Sequence, residues 1–214
     1  HATTSSQLRG DVMLPRLLWT SWSMALAHQV PEVTLSNDRQ LPLVGLGCAS
    51  GVRQSHVVSA LAAGYRLLDT AQAYQWGYHE DEVGEAIQTW PREEIFLQSK
   101  IHPEHLGYKA TKRAFEKSLQ RLKTNYVDVM MLHKPWCWPG ACAHEPEGTW
   151  QDSWHALEEL HVTGRALAIG ICDVDLMLLE ELLQQRQKPH IVQNWMDPFH
   201  QDKDLRRRCK EEGI

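Results

Sequence analysis

The stretch Val-Asp-Val-Met-Met-Leu-His, Val127 to His133, decides the fold. It is almost wholly apolar over the length of one strand, which is typical of a strand covered on both faces in a parallel sheet. Two other short apolar runs also end in an ionisable residue, Asp69 and Lys100, and Tyr74 follows soon after the first. Packing does not explain such groups at consecutive strand ends, whereas a (β/α) barrel assembles its active site there.

Helical and strand patterns alternate on both sides of this stretch. A small hairpin is predicted over residues 33–41. Strands are then predicted at 43–47, 65–69, 95–100, 127–133, 166–172 and 191–195. Helices are predicted at 55–63, 80–88, 109–122, from about Trp150, after a cap at Asp173 or Asp175, and at 202–212. Such βα units in series predict a parallel sheet with right-handed crossovers.

Both an open doubly wound sheet and a closed barrel are compatible with this series. A nucleotide-binding open sheet usually carries Gly-x-Gly-x-x-Gly after its first strand, and the segment from Gly45 to Gly51 lacks that spacing. We therefore expect an α/β fold of the TIM (β/α)8 barrel type. A closed barrel needs eight units. With about six present, residues 31–214 are expected to form an incomplete barrel domain with unpaired edges on its first and sixth strands.

Composition limits the classes of partner. The chain has 214 residues and a net charge of −5, which suits one domain and argues against nucleic acid as the main partner. No stretch is long enough for a transmembrane helix, so no membrane partner is expected. Residues 1–30 are interpreted as a disordered tail or a targeting segment. The expected location is cytoplasmic, with an organelle as the alternative, and the sequence does not indicate an oligomeric state.

The cysteines do not describe a disulfide framework. There are five of them, an odd number, scattered along the chain. Reduced thiols are the expected state. Only Cys137 and Cys142 are close enough in sequence for a local bridge.

On its motifs, the segment from Val33 to Ile214 resembles the aldo-keto reductase family, which consists of NAD(P)H-dependent oxidoreductases on a TIM barrel. The matching motifs are Asp69-Thr70-Ala71 with Tyr74 five residues after the Asp, Ser99-Lys100, Tyr126-Val127-Asp128 continuing to Leu132-His133-Lys134-Pro135, Ala168-Ile169-Gly170, and Gln193 between Pro189 and Pro198. The resemblance implies reduction of a small-molecule aldehyde or ketone to an alcohol by hydride from NADPH, with NADH as an alternative cofactor.

The resemblance also implies a catalytic tetrad. Tyr74 would donate a proton to the carbonyl oxygen. Because a free phenol titrates near ~10, Lys100 beside it would lower its pKa, and Asp69 would hold Lys100 by an ion pair. His133 would orient the carbonyl and donate a hydrogen bond to its developing charge.

Two regions depart from the family pattern. Cys172 and Asp173 stand where the family usually binds the nicotinamide carboxamide with Ser-Asn, while Gln193 matches; an ionised Asp accepts hydrogen bonds but donates none. The loop after Tyr74 is longer than usual, and its added residues Trp76, Tyr78 and His79 either shape a substrate pocket or pack the loop. Trp136, after the fourth barrel strand, is a second expected pocket residue.

Three further expectations follow from these departures. The changed carboxamide ligands and the incomplete barrel also suit a catalytically impaired cofactor-sensing or regulatory subunit. As a truncated chain, the polypeptide is expected to bind NADPH weakly. His133, Cys137, Cys142 and His144 imitate a zinc site, but their spacing is unfamiliar and His133 is needed for catalysis, so no metal is expected.

Overall fold

The computed structural model describes residues 30–214. The tail or targeting segment expected over residues 1–30 lies outside this range, apart from Val30. Strand β1 (Glu32–Thr34) pairs antiparallel with β2 (Gln40–Pro42) in the predicted hairpin. The other strands are β3 (Gly45–Gly47), β4 (Leu67–Asp69), β5 (Phe96–Ile101), β6 (Val127–Leu132), β7 (Ala166–Cys172) and β8 (Ile191–Gln193). The helices are α1 (Gln54–Ala62), α2 (Glu80–Ile87), α3 (Tyr108–Leu122), α4 (Trp150–Val162), α5 (Leu176–Leu182) and α6 (Lys203–Glu211).

The main sheet has six parallel strands in the order β3-β4-β5-β6-β7-β8, which is also their order in the sequence. An open doubly wound sheet reverses direction at a switch point, and this sheet has none. Because crossovers between parallel strands are right-handed as a rule, steady addition of strands on one side keeps the helices on one face. The architecture is therefore that of an incomplete (β/α)8 barrel, as predicted. Within residues 30–214, β3 and β8 are its edges.

Alternation along the strands separates two groups of side chains. On β5, Leu97 and Ile101 belong to the large apolar core beneath the helices. Phe96 faces the other way, into a smaller cluster on the concave side of the sheet that also includes Val129 of β6 and Cys172 of β7. Because successive residues of a strand point to opposite faces, Lys100 shares the concave face with Phe96. This alternation aims the strand-end residues at one another.

The hairpin covers the amino-terminal end of the sheet. Leu35 and Leu41 pack against the small cluster that contains Phe96. Arg39 forms an ion pair with Asp128, whose side chain is 2% exposed and also pairs with Arg92 at 2.8 Å. The hairpin is thus attached by apolar packing and by a buried charge, and the opposite end of the sheet is left for the candidate site.

Helix ends and contacts follow local chemistry. Thr149 and Asp152 cap α4 reciprocally, with backbone-to-side-chain distances of 3.2 and 2.8 Å, which is the capping-box arrangement. Asp175, one of the two predicted caps, accepts from the Leu178 N–H at 2.8 Å at the start of α5. Gly84 of α2 lies against the backbone of Arg121 in α3. No helix within residues 30–214 has the length and apolarity needed to cross a membrane.

Candidate active site

A cavity of about 470 Å³ opens at the carboxyl ends of the parallel strands. Three of its lining residues were predicted from their strand-end positions: Asp69 at the end of β4, Lys100 on β5 and His133 after β6. The full lining is Asp69, Trp76, Tyr78, Lys100, His133, Lys134, Trp138, Cys172, Asp173, Gln193, Asn194 and Trp195. The cavity therefore combines paired charges with aromatic walls.

Asp69 is held from three directions. It forms an ion pair with the Lys100 ammonium, whose side chain is 3% exposed. Its carboxylate also accepts from Gln98 Nε2 at 2.9 Å and from Gln193 Nε2 at 3.0 Å. Lys100 Nζ donates in addition to the Thr70 carbonyl at 3.2 Å. The buried lysine is thus fully charge-paired and fixed in position, as expected for these two members of the predicted tetrad.

Tyr74, the tyrosine of the predicted tetrad, does not line the cavity. It is 40% exposed, and its hydroxyl donates to Asp81 Oδ1 at 2.9 Å beside α2. The Arg121 guanidinium lies 5.1 Å from its ring. Burial, and then the hydrogen bond to Asp81, raise the pKa of Tyr74. Its hydroxyl is therefore engaged outside the cavity.

Tyr78 lines the cavity instead. Its ring centroid lies 5.5 Å from Lys100 Nζ and 5.7 Å from the His133 ring centroid. A short 3₁₀ helix, Tyr74–Trp76, ends at Gly77, whose φ is +80°. A Cβ on Gly77 would meet the Gly51 backbone N at 2.7 Å, so the turn needs glycine for conformation and for space. The additional residues of the longer loop form this turn, and the turn places Tyr78 at the cavity.

The pKa of Tyr78 is raised, with burial as the main cause. The Lys100 charge acts in the opposite direction and Asp69 acts with the burial. The Lys100 charge does not bring the pKa of Tyr78 below the usual range of a phenol, because desolvation outweighs it. Tyr78 consequently keeps its proton at neutral pH.

His133 is neutral in this setting. Burial, and then the positive charges of Lys100 and Lys134, lower its pKa to about 3. Its Nδ1 is buried and has no hydrogen-bond partner among residues 30–214. A neutral imidazole carries one N–H donor and one acceptor nitrogen. His133 can therefore donate one hydrogen bond to a ligand oxygen without bringing a positive charge.

The three predicted cofactor residues lie together on the far rim. Cys172 is 5% exposed, burial raises its pKa to about 12, and its thiol lies 3.5 Å from Gln193 Oε1. Asp173 has a φ of +56° and forms an ion pair with Lys134, which the sequence analysis did not single out. The rim therefore offers an amide, a carboxylate and an ammonium group within one cavity wall.

The aromatic wall differs in one residue from the prediction. Trp76 lines the cavity as expected, but Trp136 is 53% exposed and is not among the lining residues. Trp138 takes that place: it stacks on Trp76 with centroids 5.6 Å apart and planes 16° apart. Trp76 in turn meets His133 edge-on at 5.0 Å. The sequence did not distinguish Trp136 from Trp138, because no periodic pattern fixes the direction of a side chain in a loop.

One cysteine pair near this wall is bonded, and it is the pair for which the sequence left a local bridge open. Cys137 and Cys142 form a disulfide, and Cys48, Cys172 and Cys209 are free and buried. The disulfide withdraws two of the four ligands of the zinc alternative. No group of three or more His, Cys, Asp or Glu side chains within residues 30–214 is arranged to hold a metal ion.

The sequence did not indicate Tyr78 as a partner of Lys100 or Lys134 as a lining residue, and after β6 it selected Trp136, whereas Trp138 lines the cavity. Counting five residues forward from Asp69 gives Tyr74. The signal for Tyr78 was the longer loop itself, because its added aromatic residues were candidates for the pocket wall.

Comparisons with known proteins match most of the chain to one family. A model of the Aldo/keto reductase family matches residues 53–214. The chain is 37% identical over 189 residues to a glyoxal reductase of Bacillus subtilis, covering 85% of this chain and 64% of that protein. It is 34% identical to a morphine 6-dehydrogenase of Pseudomonas putida, covering 88% of this chain and 62% of that protein. The chain thus spans less than two thirds of the length of these curated relatives.

Solved structures give the same result at the level of the fold. A crystal structure of an aldo/keto reductase from Brucella melitensis matches with a TM-score of 0.76 and 32% identity, covering 86% of this chain and 70% of that one. A Bombyx mori aldo-keto reductase in complex with NADP matches with a TM-score of 0.78 and 25% identity, covering 87% and 64%.

Proposed function

This chain belongs to the aldo/keto reductase family, and on that premise we propose that it reduces the carbonyl group of an aldehyde or ketone with NADPH, using Tyr78 as the proton donor. The observation that carries the assignment is the position of the Tyr78 ring, which contacts both the Lys100 ammonium and the His133 ring at the cavity wall. Tyr74 has no such contacts, since its hydroxyl is bonded to Asp81.

Each residue of the group has a role that its environment supports. Tyr78 keeps its proton at neutral pH because burial raises its pKa, so it is available as a general acid. As the proton leaves, the adjacent Lys100 ammonium stabilises the phenolate, and Asp69 holds the ammonium in place. His133 donates its single N–H to the carbonyl oxygen as negative charge develops there.

The far rim suits the nicotinamide end of the cofactor. A carboxamide presents one NH₂ donor and one carbonyl acceptor. Asp173 and the Gln193 carbonyl oxygen can accept from it, and Lys134 and the Gln193 amide can donate to it; all three line the cavity. When bound there, the cofactor would supply a hydride to the carbonyl carbon. The Bombyx mori relative was solved with NADP, which favours NADPH over NADH.

Two phenylalanine variants test this proposal and serve as controls for each other. Tyr78→Phe removes the proposed acid, whereas Tyr74→Phe removes a hydroxyl that lies outside the cavity. We expect Tyr78→Phe to lower kcat for an uncharged aldehyde by about 100-fold or more, the scale of general acid catalysis. Tyr74→Phe should stay within about 3-fold of the unchanged protein. NADPH absorbance measures turnover, and quenching of tryptophan fluorescence by NADPH measures binding in both variants.

The outcomes separate the alternatives. If Tyr74→Phe abolishes turnover while Tyr78→Phe does not, the assignment of Tyr78 is wrong. If the protein binds NADPH but none of the carbonyl compounds tested causes NADPH to be oxidised, the role of a cofactor-sensing subunit replaces that of an enzyme. That second role has one observation in its favour: Asp173 is paired with Lys134 and Gln193 is bonded to Asp69, so the carboxamide ligands already have partners.

A further inference from the structure

We propose that the Cys137–Cys142 disulfide is a redox control on the substrate end of the cavity and that it acts through Trp138. The inference rests on the proposed function, since it concerns binding at the same cavity. Both cysteines lie in the connection between β6 and α4, and the bond between them closes a ring around Trp138. Trp138 is the residue of this ring that lines the cavity.

Few other bonds shape this ring. Between Pro135 and Cys142, the backbone makes one hydrogen bond within the described range of residues 30–214, from Ala141 N–H to the Trp138 carbonyl at 2.9 Å. That bond closes a tight turn in which Gly140 has a φ of +84°. Such a segment has little to hold it when its ends are not joined, because a free loop samples many conformations. The disulfide is therefore the main constraint on where Trp138 lies.

The position of Trp138 extends to the reacting groups. Its indole stacks on Trp76 at 5.6 Å and lies under the Lys134 ammonium at 5.0 Å. Trp76 in turn contacts the His133 ring at 5.0 Å. An aromatic wall that is already ordered loses little conformational entropy when a ligand binds, which is the advantage of a preorganised site. When the disulfide opens, that wall has to be ordered by the ligand, and affinity for the substrate falls.

Among the cysteines of residues 30–214, the disulfide pair is also the accessible one. Cys137 and Cys142 are partly exposed, whereas Cys48, Cys172 and Cys209 are buried. A small thiol attacks one sulfur to form a mixed disulfide, and a second thiol completes the exchange. The sum is one protein disulfide and two thiols R–SH giving two cysteine thiols and one R–S–S–R. Two electrons and two protons pass to the protein, and glutathione disulfide reverses the reaction.

Kinetics of the whole protein in its two redox states test the proposal. The protein is equilibrated with glutathione or with glutathione disulfide, and alkylation with mass mapping confirms the state of Cys137 and Cys142. We expect reduction to raise KM for an uncharged aromatic aldehyde about 5- to 10-fold, the scale of one aromatic packing contact. The kcat should change less than about 3-fold, because Tyr78 and Lys100 lie on other segments. Near-UV circular dichroism should lose the signal of the Trp76–Trp138 stack.

Two tryptophan variants separate this mechanism from a general loosening of the protein. Trp138→Ala should have the raised KM in both redox states and no further response to reduction. Trp136→Ala, an exposed neighbour that does not line the cavity, should keep the full response. Cys137→Ser with Cys142→Ser should reproduce the reduced state without any thiol. If that double variant does not fold, chemical reduction of the unchanged protein makes the same comparison.

Two outcomes would overturn the proposal. Equal KM values in the oxidised and reduced states would make the disulfide a structural bond only. An equal redox response in Trp138→Ala would mean that reduction acts by another route. If neither state turns over any carbonyl compound, the proposed function fails, and circular dichroism still decides this question. A spectral change on reduction that Trp138→Ala lacks would support control of the wall, and an unchanged spectrum would exclude it.

Discussion

Asp69 accepts more hydrogen bonds than an anchor for one lysine requires. Besides Lys100, it holds the side-chain amides of Gln98 and Gln193, which come from β5 and β8. Three strands are therefore tied together by one carboxylate. The ion pair to Lys100 was expected from the family resemblance. The hydrogen bonds from the two glutamine side chains were not expected, because they depend on the sheet curving until β8 approaches β4.

The imidazole of His133 gives a prediction about pH and stability. Its pKa in the folded protein is about 3, against an ordinary value near ~6.5. Between these values the unfolded chain binds a proton that the folded protein does not, so stability falls as pH decreases. For one proton the slope is at most about 1.4 kcal/mol per pH unit. His133→Gln should remove this contribution.

Urea unfolding at several pH values measures that effect. At pH 8, where His133 is neutral in both the folded and the unfolded chain, the free energies of unfolding of the variant and the unchanged protein differ only through packing and hydrogen bonding. As pH falls below about 6.5, we expect the difference to shift steadily in favour of His133→Gln. Parallel curves across the whole range would show that His133 titrates normally. His102 and His190, whose pKa values burial also lowers, add acid sensitivity of the same sign in both proteins.

Residue positions in the cavity were predictable where a strand fixes the side chain and not where a loop does. Asp69, Lys100 and His133 were identified because strand ends converge at one edge of a parallel sheet. Tyr78 and Trp138 lie on loops whose paths depend on distant contacts, such as the packing of Gly77 on Gly51. No local pattern in the sequence encodes that contact.

At the scale of elements, the sequence pattern located the six α-helices of residues 30–214 but none of the short 3₁₀ helices between them. In α5, Leu176 is 43% exposed, whereas Leu178 and Leu182 are buried. The cap at Asp175 starts the helix immediately before Leu176. A first-turn residue has no preceding turn to pack against, so the buried face begins two residues later.

Helix α2 gives a prediction whose sign is opposite to ordinary helix propensity. Replacing glycine with alanine inside a helix usually stabilises it by about 1 kcal/mol. At Gly84, however, a Cβ would lie 2.1 Å from the Arg121 carbonyl oxygen and 2.8 Å from the Leu122 backbone. Because backbone atoms cannot give way as side chains do, α2 and α3 would have to separate. Gly84→Ala should destabilise the protein by about 2 kcal/mol or more.

Gly47→Ala is the matched control, since a Cβ there meets nothing within 4 Å. Its free energy of unfolding should stay within about 0.5 kcal/mol of the original, as for most substitutions away from close contacts. Thermal unfolding of both variants makes the comparison. Stabilisation by Gly84→Ala would mean that the two helices are farther apart than described.

At the scale of the molecule, the barrel type was predictable. The covering of its amino-terminal end by the hairpin was not. The run of βα units and the apolar β6 stretch indicated a parallel sheet, and the strand order confirmed the barrel type. The role of the hairpin was not apparent from residues 33–41. It depends on the contact between Arg39 and Asp128, which are 89 residues apart. Nothing in either local sequence signals the other partner.

Loss of that contact should weaken the whole fold. Asp128 is 2% exposed and pairs with both Arg39 and Arg92, and it accepts from the Leu97 N–H at 2.9 Å. Asp128→Ala leaves two guanidinium groups and one amide without their partner. We expect a loss of about 3 kcal/mol in the free energy of unfolding, the scale of a broken buried pair.

An exposed ion pair supplies the comparison. Glu159 is 53% exposed and pairs with Lys112 at 2.6 Å, and removal of such a surface partner costs about 1 kcal/mol or less. Urea denaturation of Asp128→Ala and Glu159→Ala should separate the two classes of contact. Equal losses would show that the hairpin is held by the packing of Leu35 and Leu41 alone.

The paired charges around the cavity have a consequence for how ligands arrive. Lys100 is matched by Asp69, Lys134 by Asp173, and His133 is neutral, so this wall has no net charge at neutral pH. Long-range attraction of an ion needs an unbalanced field. The wall therefore neither attracts nor repels ions at long range. The association rate of a ligand at this wall should be insensitive to ionic strength. It is a surface suited to the uncharged ends of molecules.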